Sequence, residues 1–159
     1  MPQDNQRRDQ RQDRQGQGRR NQQGHTDHQD EHRATQEQSA QKEKESVQIL
    51  IRAGGRPLVD KAERLGPEFQ RGGLTTNQIR NIYGMVKQME MNGFDSKKFI
   101  LFKPKLAYAA ARAAKPGAYR FRDIMTWAIE EVGEDKEKFE RFVDFFEAIL
   151  AYHKAAGGK

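Results

Sequence analysis

The chain has 159 residues, 35% hydrophobic and 33% charged, with a net charge of +6 and no cysteine. A mean hydropathy of −1.06 is too polar for a chain that is globular throughout, and the missing thiols exclude disulfides and thiolate metal sites. No stretch approaches the roughly 18 to 20 apolar residues of a membrane span, and MPQDNQRRDQ has no apolar signal-peptide core, so a soluble cytoplasmic protein is expected.

Residues 1–45 are a Gln-, Arg- and Asp-rich tract with almost no apolar side chain. Such a tract cannot bury enough surface to offset the entropy of ordering its backbone, and a disordered arm is expected. Nine basic and nine acidic residues leave it neutral. The pairs Arg7–Arg8 and Arg19–Arg20 are therefore read as parts of a solvated arm. His25, His28 and His32 have metal-compatible spacing only if helical, and no scaffold supports them.

The character changes at Ser46, and a single folded domain is expected over 46–159. SVQILIRAGG opens with apolar residues and breaks at Gly54 and Gly55. Pro57 suits a first helical turn, with Leu58, Ala62 and Leu65 as its buried stripe and Gly66–Pro67 as its stop. Arg71, Gly72 and Gly73 then turn into LTTNQIRNIYGMVKQ. Thr75 or Thr76 caps this helix; Ile79, Ile82, Val86 and Met89 form its apolar face. Arg80 and Lys87, seven residues apart, project together on the opposite side, with Gly84 between them as a bare patch for close approach.

Asn92 and Gly93 end that helix, and Asp95 or Ser96 caps KKFILFK. The run Phe99 to Phe102 fits a buried helical turn or a short strand; no alternating partner strand exists, and helix is expected. Pro104 starts KPKLAYAAARAAK, an alanine-rich helix suited to close packing and stopped by Pro116 and Gly117. Phe121, Ile124, Met125, Ala128 and Val132 then share one face. In the last helix Phe139, Phe142, Val143, Phe146, Ile149 and Leu150 point inward. Phe145 and Tyr152 widen that stripe, so it needs a second neighbour, either in this chain or in another subunit; an exchange of helices between two chains would also supply one.

Residues 46–115 carry thirteen basic and five acidic residues, whereas residues 116–159 carry seven and nine. The positive field thus belongs to the middle of the folded part and favours a polyanion. Its candidate phosphate contacts are Arg80, Lys87, Lys105 and Arg112, followed by Lys103, Lys97 and Lys98. The 80–112 window that contains them holds only two acids, Glu90 and Asp95. Tyr83 and Tyr108 lie among them and are suited either to stacking on bases or to the core, with core preferred for Tyr83. Contacts of this kind carry little base information.

Catalytic signatures are missing: there is no Gly-x-Ser-x-Gly elbow and no Gly-rich loop ending in Lys-Ser or Lys-Thr. His153, the one histidine of the folded part, suits capping or packing near a helix C-terminus. Glu130, Glu131, Glu134 and Asp135 read as a solvated face and a first turn rather than a metal cluster. No catalytic residue, metal or cofactor is expected.

LTTNQIRNIY, KPKLAYAAAR and FFEAILAYHK, in this order, make the chain resemble the small subunit of type III-A CRISPR–Cas effector complexes. The resemblance covers roughly Gly73 to Lys154. It implies an all-α, non-catalytic protein, several copies of which line the complex and hold guide (crRNA) and target RNA along their backbones. Its partners would be the backbone and large subunits and further copies of itself. With the residue reading, this gives the expectation of a single five- or six-helix bundle behind a disordered N-terminal arm. The alternatives are a structural adaptor for acidic protein partners and a small ribonuclease.

Overall fold

The computed structural model describes the backbone from residue 14 to residue 159 and the side chains from residue 29 onward. The described residues are all-α: α1 (Arg14–Ala53), α2 (Arg56–Arg71), α3 (Thr76–Met91), α4 (Ser96–Ile100), α5 (Phe102–Ala113), α6 (Pro116–Val132) and α7 (Lys136–Ala155). The chain divides into two units, residues 1–42 and 43–159. The second is a helical bundle built from α2–α7 and the C-terminal end of α1.

Much of the expected arm, with Arg7, Arg8, Arg19, Arg20, His25 and His28, lies outside the described residues or their side chains. Where the tract is described it is helical, as the N-terminal part of α1. Its residues 29–42 are exposed, in keeping with their lack of an apolar stripe. Burial begins at Val47, Leu50 and Ile51. The α1 carbonyls of Ile51 and Arg52 accept from the Arg141 guanidinium (3.5 and 2.7 Å), which satisfies groups that a helix end leaves free. Gly54 and Gly55, both at positive φ, turn the chain into α2.

Gly66 and Pro67 do not end α2, which continues to Arg71. Pro67 forgoes one backbone bond, but Phe69, beyond the expected stop, is fully buried and holds the last turn on the core. Gly66 serves a different purpose. A Cβ placed there would lie 2.6 Å from the His153 backbone N and 2.7 Å from the Tyr152 carbonyl carbon, so α2 and α7 touch backbone to backbone. Gly84, expected to permit such an approach, faces open space within this chain. Likewise Pro116 and Gly117 begin α6 rather than merely stopping α5. Pro116 takes the first-turn position where its missing N–H costs nothing. α5 itself ends through Ala114 in the left-handed region (φ 50°).

The remaining boundaries follow local chemistry. Thr75 caps α3 in a reciprocal box: its side chain accepts from the Gln78 N–H, and its own N–H donates to Gln78 Oε1 at 2.9 Å. Asp95 caps α4 and Asp135 caps α7. The Phe99–Phe102 run is helical, with Phe99 and Phe102 buried and Ile100 and Leu101 exposed.

α7 is the centre of the bundle and packs on α2, α3 and α6; α5 packs on α6. Phenylalanine rings bind these helices into one core. Phe121 meets Phe69 and Phe146, each at 5.4 Å, while Phe99 meets Phe139 and Phe142, each at 5.1 Å. Edge-to-face pairs of this kind add to plain area burial. Phe145 and Phe146 are both fully buried, and Tyr152 packs half-buried against the same cluster. The wide stripe of α7 is therefore covered within the chain.

Candidate nucleic-acid interface

The basic residues of the middle segment divide among three surfaces because α3 and α5 each present more than one flank. Lys103 turns toward α6 and bonds Glu130 at 2.9 Å; the same carboxylate pairs with Lys44 of α1 at 2.9 Å. Two further clusters clip α1 to its neighbours: Glu43 with Lys61 and Arg120, and Glu131 with Arg52 and Lys138. Burial works to raise all three carboxylates, but hydrogen bonds from their cationic partners win and hold each below its ordinary value. Lys103 is therefore part of the scaffold.

Arg80 and Lys87 lie on the flank of α3 nearer α7. Arg80 is exposed and has no ion-pair partner among the described residues. Lys87 pairs with Glu90. That hydrogen bond, helped by Glu147 and Asp144, raises its pKa against the effect of burial. Here Tyr83 donates to Glu147 Oε2 at 2.9 Å and packs on Phe146 at 5.2 Å. Burial first, then that carboxylate, push its phenol well above the usual range. Asp144 is raised by burial and by the charges of Glu147, Glu90 and Glu140. Lys87 thus neutralises an acidic flank, and Tyr83 belongs to the packing.

The other flank of α3 faces a groove whose far wall is α4 and α5. Gln78, Asn81, Met85, Gln88 and Asn92 recur at three- and four-residue steps and form one stripe of α3. Opposite them stand Lys98, Lys105, Tyr108 and Arg112, the last three again at helical spacing. Two cavities, of about 380 and 520 Å³, share Met85 and run along this line. Ala109, Ala110 and Ala113 line the first; their small side chains leave space between α3 and α5. The alanine-rich α5 packs on α6 and leaves a groove toward α3.

Lys105 and Arg112 are exposed and without an ion-pair partner among the described residues. Lys98 makes only a long exposed contact with Asp95, at 4.0 Å, and Lys97 is exposed beside it. Asp95 is the single carboxylate along the two cavities, and it is occupied as the α4 cap. Sequence reasoning found the cations of this groove but missed its amide wall. The signal was present in the spacing of Gln78, Asn81, Gln88 and Asn92, uncharged polar residues on a face away from Ile79, Ile82 and Val86.

His153 is fully buried, and its Nε2 lies 2.7 Å from the Leu74 carbonyl oxygen. It ties α7 to the segment leading into α3, as a packing residue. Among the described residues no group of three or more His, Cys, Asp or Glu is arranged to hold a metal ion. No helix there is long and apolar enough to cross a membrane.

No curated protein and no solved structure matches the chain. A family model, Csm2 Type III-A, matches residues 53–159. The match begins at the end of α1 and takes in α2, so it extends well beyond the Gly73–Lys154 stretch that carried the resemblance. Covering more than half of the chain and every helix of the bundle from α2 onward, it shows that the chain belongs to the Csm2 family, the small subunits of type III-A CRISPR–Cas complexes.

Proposed function

We propose that this subunit holds guide and target RNA by their phosphates and catalyses no reaction itself. The observation that supports this reading is the α3–α5 groove, with Lys98, Lys105 and Arg112 along one wall and uncharged amides along the other. Unpaired exposed cations attract a polyanion and release its counterions, while amides satisfy ribose and base groups without adding charge. Lys105 and Arg112 lead the phosphate contacts, Lys98 and Lys97 extend them, and Arg80 adds to the field from the other flank. Lys87 and Lys103 contribute less, being neutralised by Glu90 and Glu130. Phosphate contacts carry little sequence information, so recognition is delegated to pairing between guide and target.

In this reading copies of the chain stack along the complex beside its backbone and large subunits, in the cytoplasm. Co-purification of a tagged copy from its native host, with sequencing of bound RNA, tests it. The expected result is short RNAs that share a constant end and differ elsewhere, together with a ladder of partner proteins. Partner proteins without RNA would favour an adaptor for acidic protein surfaces. A titration with single-stranded RNA adds a physical check: three phosphate contacts give a log–log salt slope of about −2.

A further inference from the structure

The part of the groove nearest Leu74 differs from the rest. Its floor is apolar, made by Leu74, Ile82, Leu106 and Phe121, all buried. Its rim carries Gln78, Asn81, Tyr108 and Arg112, with no carboxylate. Tyr108 is 69% exposed although it is a large aromatic residue in the middle of a helix. The cavity of about 380 Å³ lies at the small end of the range for ligand clefts, roughly 300 to 1,000 Å³.

Resting on the phosphate-binding reading above, we infer that this cleft receives one unpaired nucleobase of the bound RNA. The base stacks against Tyr108 while its own phosphate is held by Arg112 one turn on. Aromatic stacking accepts any base, since every base has a π-face. Asn81 supplies one donor group and one acceptor for a base edge. Gln78 has its Oε1 engaged by the Thr75 N–H, so its amide nitrogen remains as a donor. An apolar floor with a polar rim suits a flat ring with a hydrogen-bonding edge; a bare phosphate would gain nothing from the floor. The consequence is a preference for single-stranded RNA, or for a strand with a displaced base, over a continuous duplex whose bases are already stacked.

The full chain is titrated with a short single-stranded RNA and with the same backbone made entirely abasic, each over a range of salt. The expected result is tighter binding of the RNA than of the abasic strand by wild type. Tyr108→Ala weakens RNA binding by about five- to a hundredfold, Tyr108→Phe retains it, and both leave the salt slope unchanged. Tyr108→Ala should fold normally, as an exposed tyrosine replaced by a better helix former, and circular dichroism verifies this. Equal affinity of wild type for both strands, or of Tyr108→Ala and wild type for RNA, overturns the base cleft and leaves the phosphate reading standing. Normal RNA binding by Tyr108→Ala with failure to enter the complex also overturns it and assigns the cleft to a protein contact. No salt-dependent binding by wild type brings down both readings.

Discussion

Reversing Lys105 and Arg112 together to Glu separates the groove from the rest of the positive surface. Both side chains are exposed and neither has an ion-pair partner among the described residues, so the fold loses no ion pair. Leu106 and Ala110 stay inward, and Glu is about as good a helix former as Lys or Arg. A charged hydrogen bond contributes ~1.5–3 kcal/mol when well formed. Solvent screening at an exposed groove reduces this to ~1 kcal/mol for each contact. Two contacts then give ~2 kcal/mol, a weakening of about thirtyfold at low salt. The log–log salt slope should become shallower by about 1.4. Fluorescence anisotropy with labelled single-stranded RNA measures both quantities, and circular dichroism verifies the helices. Unchanged affinity and slope in a folded double variant would refute the groove. Arg80→Glu, on the other flank of α3, should cost less than about threefold, because a charge outside the groove acts only through the screened field. Lys87→Glu is a poor probe, because it adds a further carboxylate to Glu90, Asp144 and Glu147; lost binding would then include a folding defect.

Gly66→Ala should destabilise the bundle by at least the ~1–3 kcal/mol typical of overpacking, since its new methyl meets backbone of α7 that cannot rotate away. Gly84→Ala, in open space on an exposed helix face, should stabilise by ~0.5–1 kcal/mol; urea midpoints compare the two, and a tolerated Gly66→Ala would contradict the α2–α7 contact. Thr75→Ala removes the α3 cap and should cost ~1 kcal/mol in the same assay. The folded pKa values of Glu43, Glu130 and Glu131 lie below the ordinary 4.5, so their contribution is complete above about pH 4.5 and lost as pH falls further. Asp144, raised above 3.8 by burial first and then by Glu147, Glu90 and Glu140, has the opposite sign, because its protonation removes both penalties. Asp144→Asn should therefore raise the urea midpoint at pH 7 and make the acid loss steeper.

The helices were legible wherever one signal fixed them locally. Thr75 and Asp95 cap, Asn92 and Gly93 stop, and the apolar spacing of Ile79, Ile82 and Val86 marks the buried face of α3. What misled was chemistry whose meaning depends on a neighbour. Gly66–Pro67 reads as a stop until α7 crosses at Gly66, and Pro116–Gly117 reads as an end until Gly117 packs on Phe69 and Gly72. Gly84 looks suited to close approach, yet nothing in the chain approaches it. The cations were equally visible in sequence, but their availability was not. Lys103 and Glu130 are 27 positions apart and still share a hydrogen bond, whereas Lys105, two residues later, lines the groove.

Arg80 and Arg112 have the same charge in sequence and stand in different fields in the fold. One side of α3 carries amides and faces the cations of α5. The other carries Lys87, facing Glu90, Asp144 and Glu147. In the reading proposed above, a polyanion is drawn more strongly to the first side than to the second, where Glu90 neutralises Lys87 and Arg80 is left without an ion-pair partner among the described residues, so α3 gives bound RNA a preferred side. On that second side Asp144 is raised by burial first and then by the neighbouring carboxylates. Its carboxyl sits among like charges, and its cost to the fold is borne by the aromatic packing of Phe142, Phe145 and Phe146 on the buried side of the same helix.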